Sequence, residues 1–261
     1  MIDYKGYLFI TSTYAGRLPL SIATITNVMT RVTGAHFAIQ WLDVANPSYI
    51  EFMLGMVARN TGNEVSIGFC GPDMSVACSK RPENLSAIAC GYDATHFINL
   101  DDDLMVTEQS LKILRGLHNI PVVSIGVQDG SNARGFADYD ETKYDSYLDF
   151  CEVHPPGKAK HHMFKHASVI TGYKWISQLW CLDVSSFHNW EIWDKVCDQF
   201  QEKGIRGYDI LLENELAAVY DINLIVGCEA LHIGLEHAYL GGPWTGAAPI
   251  TKTVVTLGIK Q

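Results

Sequence analysis

The chain has 261 residues, of which 48% are hydrophobic and 18% charged, which is enough apolar material for one large folded unit and excludes wholesale disorder. Its formal net charge of −10 argues against tight, non-specific binding to nucleic acid. The sequence holds no uninterrupted apolar run of about eighteen residues and no basic leader before its first strand-like run, so we expect neither a membrane span nor a signal peptide.

Strand-like apolar runs alternate with helix-like segments through the first half of the chain. Pro47 suits the first turn of the second helix, and Thr107 suits the N-cap of the fourth. The predicted strands cover residues 7–12, 37–44, 64–69, 95–100 and 121–127, and the predicted helices cover 20–32, 48–59, 82–90 and 107–117. This alternation predicts an α/β fold with a Rossmann-like, mostly parallel central sheet flanked by helices.

The second half of the chain is less regular. A polar, acidic stretch at 128–147 is predicted to form a long loop or lid, and a basic segment follows at 151–174. Strands are predicted at 178–182 and 224–233, and helices at 190–203 and 211–219. We therefore divide the chain into a regular half (1–128) and a less regular half (129–261) of one continuous globular unit. The seven cysteines are scattered and never in C-x-x-C spacing, which favours reduced thiols in a cytoplasmic protein.

The strand predicted at 95–100 runs directly into three carboxylates, Asp101, Asp102 and Asp103. Alternate side chains of an extended backbone share a face, so Asp101 and Asp103 are predicted to point together and Asp102 away. Paired carboxylates are hard oxygen ligands that suit Mg²⁺ or Mn²⁺, and ligands of parallel sheets bind beyond the carboxyl ends of the strands. The triplet therefore predicts a metal site, and the alternative is an ordinary turn followed by an N-cap.

Asp101-Asp102-Asp103 at the end of a mid-sheet strand resembles the D-x-D motif of the GT-A fold glycosyltransferases, which use nucleotide sugars. The preceding stretch, from Arg81 through Ala89 and Gly91 to the strand, is similar to the family's R-N…A-x-G…strand-D-x-D run. The resemblance implies a nucleotide-sugar-binding half at 1–128 and an acceptor-binding, catalytic half at 129–261.

The resemblance also implies roles for individual residues. A Mn²⁺ or Mg²⁺ ion is expected on Asp101, Asp103 and the late His232, with His237 as a rival for the histidine position. A catalytic base is expected in the acidic helix start, at Glu213, Glu215 or Asp209, although Asp209 is equally suited to a plain helix cap. Contacts to the nucleotide sugar are expected from Thr11, Thr13, Tyr14, Asp43, Arg81, Asp101 and Asp102.

The implied function is a metal-dependent glycosyltransferase that moves a sugar from a nucleotide-diphosphate sugar, with a UDP-sugar favoured, to a hydroxyl acceptor. The acceptor class stays open among a glycan, a small molecule and a hydroxylated base in DNA. The Lys/His segment at 158–166 has three interpretations, which are first a solvated face, then a loop that closes over the diphosphate, and third a contact with the phosphates of a nucleic-acid acceptor. Inverting or retaining chemistry and the oligomeric state also stay open. The alternatives are a nucleotidyltransferase, disfavoured by the single glycine at 13–19, and a non-catalytic nucleotide-sugar-binding module.

Overall fold

The computed structural model describes residues 1–14, 18–42, 46–70, 93–129, 168–173, 179–185, 191–192, 195, 215–216 and 218–232. The helices are α1 (Leu18–Met29), α2 (Pro47–Thr61) and α3 (Glu108–Gly116). The strands are β1 (Ile2–Asp3), β2 (Tyr7–Tyr14), β3 (Val32–Thr33), β4 (His36–Leu42), β5 (Glu64–Cys70), β6 (His96–Leu100), β7 (Leu104–Met105), β8 (Val122–Asp129), β9 (Ser168–Tyr173), β10 (Leu179–Asp183) and β11 (Ile222–His232).

One large sheet organises the described residues. Its strand order is β5-β4-β2-β6-β10-β8-β11-β7, with β9 beside β11. Strands β5, β4, β2 and β6 pair in parallel, β8 and β11 pair in parallel with each other, and β10 is antiparallel to both β6 and β8. Strands β7 and β9 pair antiparallel with β11. Six of these nine strands therefore share one direction, and the predicted α/β fold with a mostly parallel sheet is confirmed.

Local sequence signals account for the helix boundaries. The Asn46 side chain accepts a hydrogen bond from the Tyr49 N–H at the start of α2, where Pro47 occupies the first turn, and Gly62 ends the helix with a left-handed φ of 70°. The predicted cap of α3 is confirmed, because the Thr107 hydroxyl oxygen accepts from the Ser110 N–H at 3.0 Å. None of the helices in these ranges is long and apolar enough to cross a membrane.

The core lies between the parallel strands and the helices that cover them. Phe9 of β2 stacks on Phe37 of β4 with ring centroids 4.8 Å apart, and both rings are almost fully buried. Helix α2 buries Ile50, Leu54 and Ala58, which are spaced four residues apart and so share one face. Burial of this apolar surface is what holds the helix against the sheet.

Pairing across the sheet departs from the sequence pattern in its second half. Strand β10 was predicted as a strand, but its antiparallel insertion between β6 and β8 was not, and β9 and the short β1, β3 and β7 were not predicted at all. Alternation and composition report local conformation, whereas the choice of partner strand depends on contacts distant in sequence. The helix predicted at 82–90 lies outside the described residues.

Candidate functional site

The three acids form a tight turn at the carboxyl end of β6, called here the acidic turn (residues 101–103). The turn leads straight into β7, with residues 102 and 103 in the turn itself. The prediction that Asp101 and Asp103 share a face required an extended backbone, so that argument does not hold here. Asp102 and Asp103 are both buried, at 6% and 2% exposure, and Asp101 is half-buried.

Asp102 is held by hydroxyl groups from two other elements. The Thr13 hydroxyl at the end of β2 donates to Asp102 Oδ2 at 2.6 Å, and Ser21 Oγ in α1 lies 3.3 Å from the same oxygen. The parallel register that pairs Ile10 with Asn99 explains the encounter, because it carries the end of β2 alongside the acidic turn. Ser21 was missed by sequence reasoning, since a serine inside an apolar helix carries no local signal of this contact.

Hydrogen bonds also hold the chain on either side of Asp102. The Asn99 side-chain amide donates to Asp101 Oδ1 at 3.1 Å. Beyond the turn, the Val106 N–H donates to Asn27 Oδ1 of α1 at 3.3 Å. The acidic turn is therefore fixed relative to both β6 and α1.

The late histidine reaches the same edge of the sheet through its strand. Residue His232, the last of β11, pairs antiparallel with Leu104, and Leu231 pairs with Met105. Leu104 directly follows Asp103, so the backbone of His232 lies beside the acidic turn although the two residues are far apart in the chain. Among the described side chains, no three His, Cys, Asp or Glu groups form a metal-binding cluster.

The remaining predicted residues divide between described and undescribed parts of the chain. Thr11 is buried in β2 opposite Ile39, and Tyr14 ends that strand opposite Leu42. Glu215 is helical, and its Oε2 accepts from Lys195 Nζ at 2.5 Å. The predicted residues that lie outside the described ranges are Asp43, Arg81, Asp209, Glu213 and His237.

The amino ends of the same strands carry a different set of polar groups. His96 stacks on Tyr7 with ring centroids 4.2 Å apart and contacts the His118 carbonyl oxygen through Nε2 at 2.7 Å. The Arg115 guanidinium lies over the Tyr7 ring, 5.2 Å from its centroid. Burial lowers the pKa of His96 and raises the pKa of Tyr7 to about 12, so both rings are held neutral near pH 7.

No protein-family model matches the sequence, and comparison with curated proteins gives no match. Among solved structures, the apo-form glycosyltransferase GlyE of Streptococcus pneumoniae TIGR4 is similar, with a TM-score of 0.51 and 9% identity over 84% of this chain and 45% of that chain. TarS of S. aureus has a TM-score of 0.50 and 10% identity over 90% of this chain and 38% of that chain.

A structure of residues 1–349 of S. aureus TarS in complex with UDP-GlcNAc also matches, with a TM-score of 0.47 and 10% identity over 86% of this chain and 57% of that chain. The chain therefore spans less than two thirds of each of these solved structures. At such identities the likeness concerns the fold alone, which this chain shares with the glycosyltransferase GlyE and with TarS.

Proposed function

We propose that this chain is a metal-dependent glycosyltransferase that moves a sugar from a nucleotide-diphosphate sugar to a hydroxyl acceptor. The observation that carries the proposal is the acidic turn. Three consecutive carboxylates lie at the carboxyl edge of a GT-A-like sheet, where ligands of parallel sheets bind, and two of them are buried. Buried carboxylates are costly unless they are paired, hydrogen-bonded or bound to a cation.

Two carboxylates and an imidazole are donor types that a divalent cation such as Mn²⁺ or Mg²⁺ accepts. We assign the metal to Asp103 and Asp101, with His232 as the third protein ligand because its strand pairs with the residue after Asp103. His237 stays the rival candidate for that third position. When bound, the cation would offset the negative charge that builds on the leaving diphosphate.

The nucleotide is assigned to the neighbouring end of β2. Thr11 and Tyr14 belong to that strand, and we propose that Asp43 and Arg81 complete the contacts to the base and the diphosphate. A UDP-sugar is the first donor to test, because TarS, whose fold is similar, has been solved with UDP-GlcNAc.

The base that takes the acceptor's proton is assigned to the acidic helix start, at Asp209, Glu213 or Glu215. Neutral isosteres separate the three candidates: Asp209→Asn, Glu213→Gln and Glu215→Gln. Replacing the base is expected to slow sugar transfer or hydrolysis about a hundredfold or more while nucleotide binding persists. Glu215→Gln also removes the ion pair with Lys195, so its unfolding midpoint should be measured beside its activity.

The proposal is tested by a thermal-shift panel of UDP, GDP, CDP, ADP and dTDP, each with and without Mn²⁺. A nucleotide that binds only the folded chain raises the melting temperature by mass action. We expect one nucleotide to stabilise the wild type only with Mn²⁺ and to leave Asp103→Ala unshifted. Asp93→Ala is the matched control, because Asp93 is exposed and precedes the other end of β6.

Two outcomes would overturn the assignment. If no nucleotide shifts the wild type, the acids serve as turn residues only and the glycosyltransferase function is wrong. If a nucleotide shifts the wild type and Asp103→Ala equally, with or without Mn²⁺, the metal role is wrong. Where a nucleotide does bind, the release of free sugar from the corresponding nucleotide sugar indicates an enzyme. Binding without release indicates a non-catalytic binding module.

A further inference from the structure

A buried cluster of two hydroxyls and one carboxylate links three separate segments at the carboxyl edge of the sheet. Thr13, Ser21 and Asp102 are 3%, 0% and 6% exposed. The Thr13 hydroxyl donates to Asp102 Oδ2 at 2.6 Å, and the Thr13 and Ser21 oxygens lie 2.5 Å apart. The Ser21 hydroxyl donates to the same Asp102 Oδ2 at 3.3 Å, so both hydroxyls reach one carboxylate oxygen.

The two hydroxyls and the carboxylate therefore form one mutually hydrogen-bonded cluster. Hydrogen bonds to an ionised acceptor are stronger than neutral ones, and successive bonds polarise one another. Helix α1 has no acid of its own in its first turn. The Asp102 carboxylate, close to Ser21 near the start of that helix, therefore faces the end that favours negative charge.

Contacts on either side of Asp102 fix the rest of the acidic turn. Asn99 holds Asp101, Asn27 of α1 accepts from the Val106 N–H, and β7 pairs with β11. The turn is thus fastened to β2 and α1 through Asp102 and to β11 through the residues that follow Asp103. Of these contacts, the hydrogen bond between Thr13 and Asp102 joins the acidic turn to the end of β2, which we assign to the nucleotide.

We infer that Asp102, Thr13 and Ser21 are positioning residues that hold the acidic turn in register with the end of β2, and that their polar groups do not contact the donor. The inference rests on the proposed function and reassigns Thr13 and Asp102 from nucleotide contacts to each other. The hydrogen bonds among these three residues, called here the Asp102 lock, hold Asp101 and Asp103 at a fixed distance from the end of β2. The donor can then bind the metal-side carboxylates and the end of β2 without rearrangement of the chain.

The test compares Thr13→Val, Ser21→Ala and the conservative Thr13→Ser with a matched control, Thr24→Val. Thr24 is fully buried in α1, and its hydroxyl has no hydrogen-bond partner among the described residues. Calorimetry measures the dissociation constant and the stoichiometry of UDP binding to each variant in the presence of Mn²⁺. We expect Thr13→Val to raise the dissociation constant about 10- to 100-fold and Ser21→Ala to raise it by a smaller factor. Thr13→Ser and Thr24→Val should leave it almost unchanged.

The dissociation constant and the stoichiometry separate positioning from simple unfolding. A variant that only unfolds would lower the fraction of competent molecules and leave the dissociation constant of the rest unchanged. A Thr13→Val protein with wild-type affinity would overturn the inference while leaving the proposed function intact.

Hydrogen exchange provides a readout that needs no nucleotide. We expect the amides of residues 101–106 to exchange about tenfold faster in Thr13→Val than in Thr24→Val. Equal exchange rates in the two variants would overturn the inference that Thr13 holds the acidic turn in place. If the wild type does not bind UDP with Mn²⁺, the proposed function is wrong. The exchange rates then test by themselves whether Thr13, Ser21 and Asp102 hold the acidic turn in place.

Discussion

The two ends of strands β2 and β6 bury different kinds of polar group. At the amino end, the Tyr4 hydroxyl donates to the Leu111 carbonyl oxygen at 2.6 Å, and His96 is held by the carbonyl of His118. At the carboxyl end, Asp102 is held by side-chain hydroxyls. Backbone carbonyl oxygens are among the partners at the amino end, beside side chains such as Thr95, whereas the hydroxyls that hold Asp102 come from side chains.

The charge states follow the same division. At the amino end, burial keeps Tyr4, Tyr7 and His96 neutral, because it raises the pKa of the two tyrosines and lowers the pKa of His96. The carboxyl end instead concentrates three consecutive carboxylates. The amino end therefore maintains the sheet, and binding chemistry is expected at the carboxyl end. Three substitutions at or near the amino end test this division.

The largest expected effect is that of Phe37→Ala, which removes the ring stacked on Phe9. The loss of a fully buried aromatic side chain is expected to lower the free energy of unfolding by about 3–5 kcal/mol. Urea denaturation followed by fluorescence measures this value. The exposed Phe52→Ala of α2, at 62% exposure, is the control and should change the unfolding free energy by less than about 0.5 kcal/mol.

Phe37→Ala also challenges the division between the two ends. The molecules that remain folded should bind UDP with Mn²⁺ with the wild-type dissociation constant, because Phe37 pairs with Phe9, four residues before Thr13 along β2. A tenfold weaker affinity in the folded fraction would show that the two ends of the sheet are energetically coupled.

A smaller effect is expected at Gly62, which ends α2 close to the amino end of β5. Its φ of +70° is strained for other residues, and an added Cβ would lie 2.9 Å from Thr33 Oγ1. Gly62→Ala is therefore expected to cost about 1–2 kcal/mol of unfolding free energy. Gly55→Ala, in the interior of the same helix with open space at its Cβ, should instead stabilise by about 0.5–1 kcal/mol, and chemical denaturation of both variants gives the comparison.

The smallest expected effect is the pH dependence contributed by His96. Burial, opposed by the His118 carbonyl and by Asp183, lowers the pKa of His96 below its ordinary value of 6.5. The unfolded chain then binds the proton more readily, so this contribution to stability is present above pH 6.5 and is lost as the pH falls below it. Asp183, whose Oδ1 is 4.0 Å from His96 Nε2, works in the other direction.

Unfolding free energies of wild type and His96→Gln at pH 7.5 and pH 5.5 measure this contribution. Wild type is expected to lose more stability than the variant on acidification. If wild type instead gains relative to the variant, attraction to Asp183 outweighs burial and the account of a neutral His96 is wrong.

Much of the local structure was predictable because its causes are local. The α2 and α3 boundaries follow from Pro47, Gly62 and Thr107, whose capping preferences act within one helical turn. The acidic turn was found from the abrupt change from apolar residues to carboxylates after Leu100. Its geometry was not, because the alternation argument assumed that the strand continued through Asp103.

The sequence by itself determined an α/β chain with acids at the end of one strand and a histidine late in the chain. Only the tertiary structure decided which of those groups meet. Thr13 and Asp102 are 89 positions apart, and their hydrogen bond exists because β2 and β6 pair in parallel at one register. The late β11 reaches the acidic turn through its pairing with β7. Periodicity records the conformation of neighbours in the chain, whereas register and strand order arise from the whole sheet folding at once.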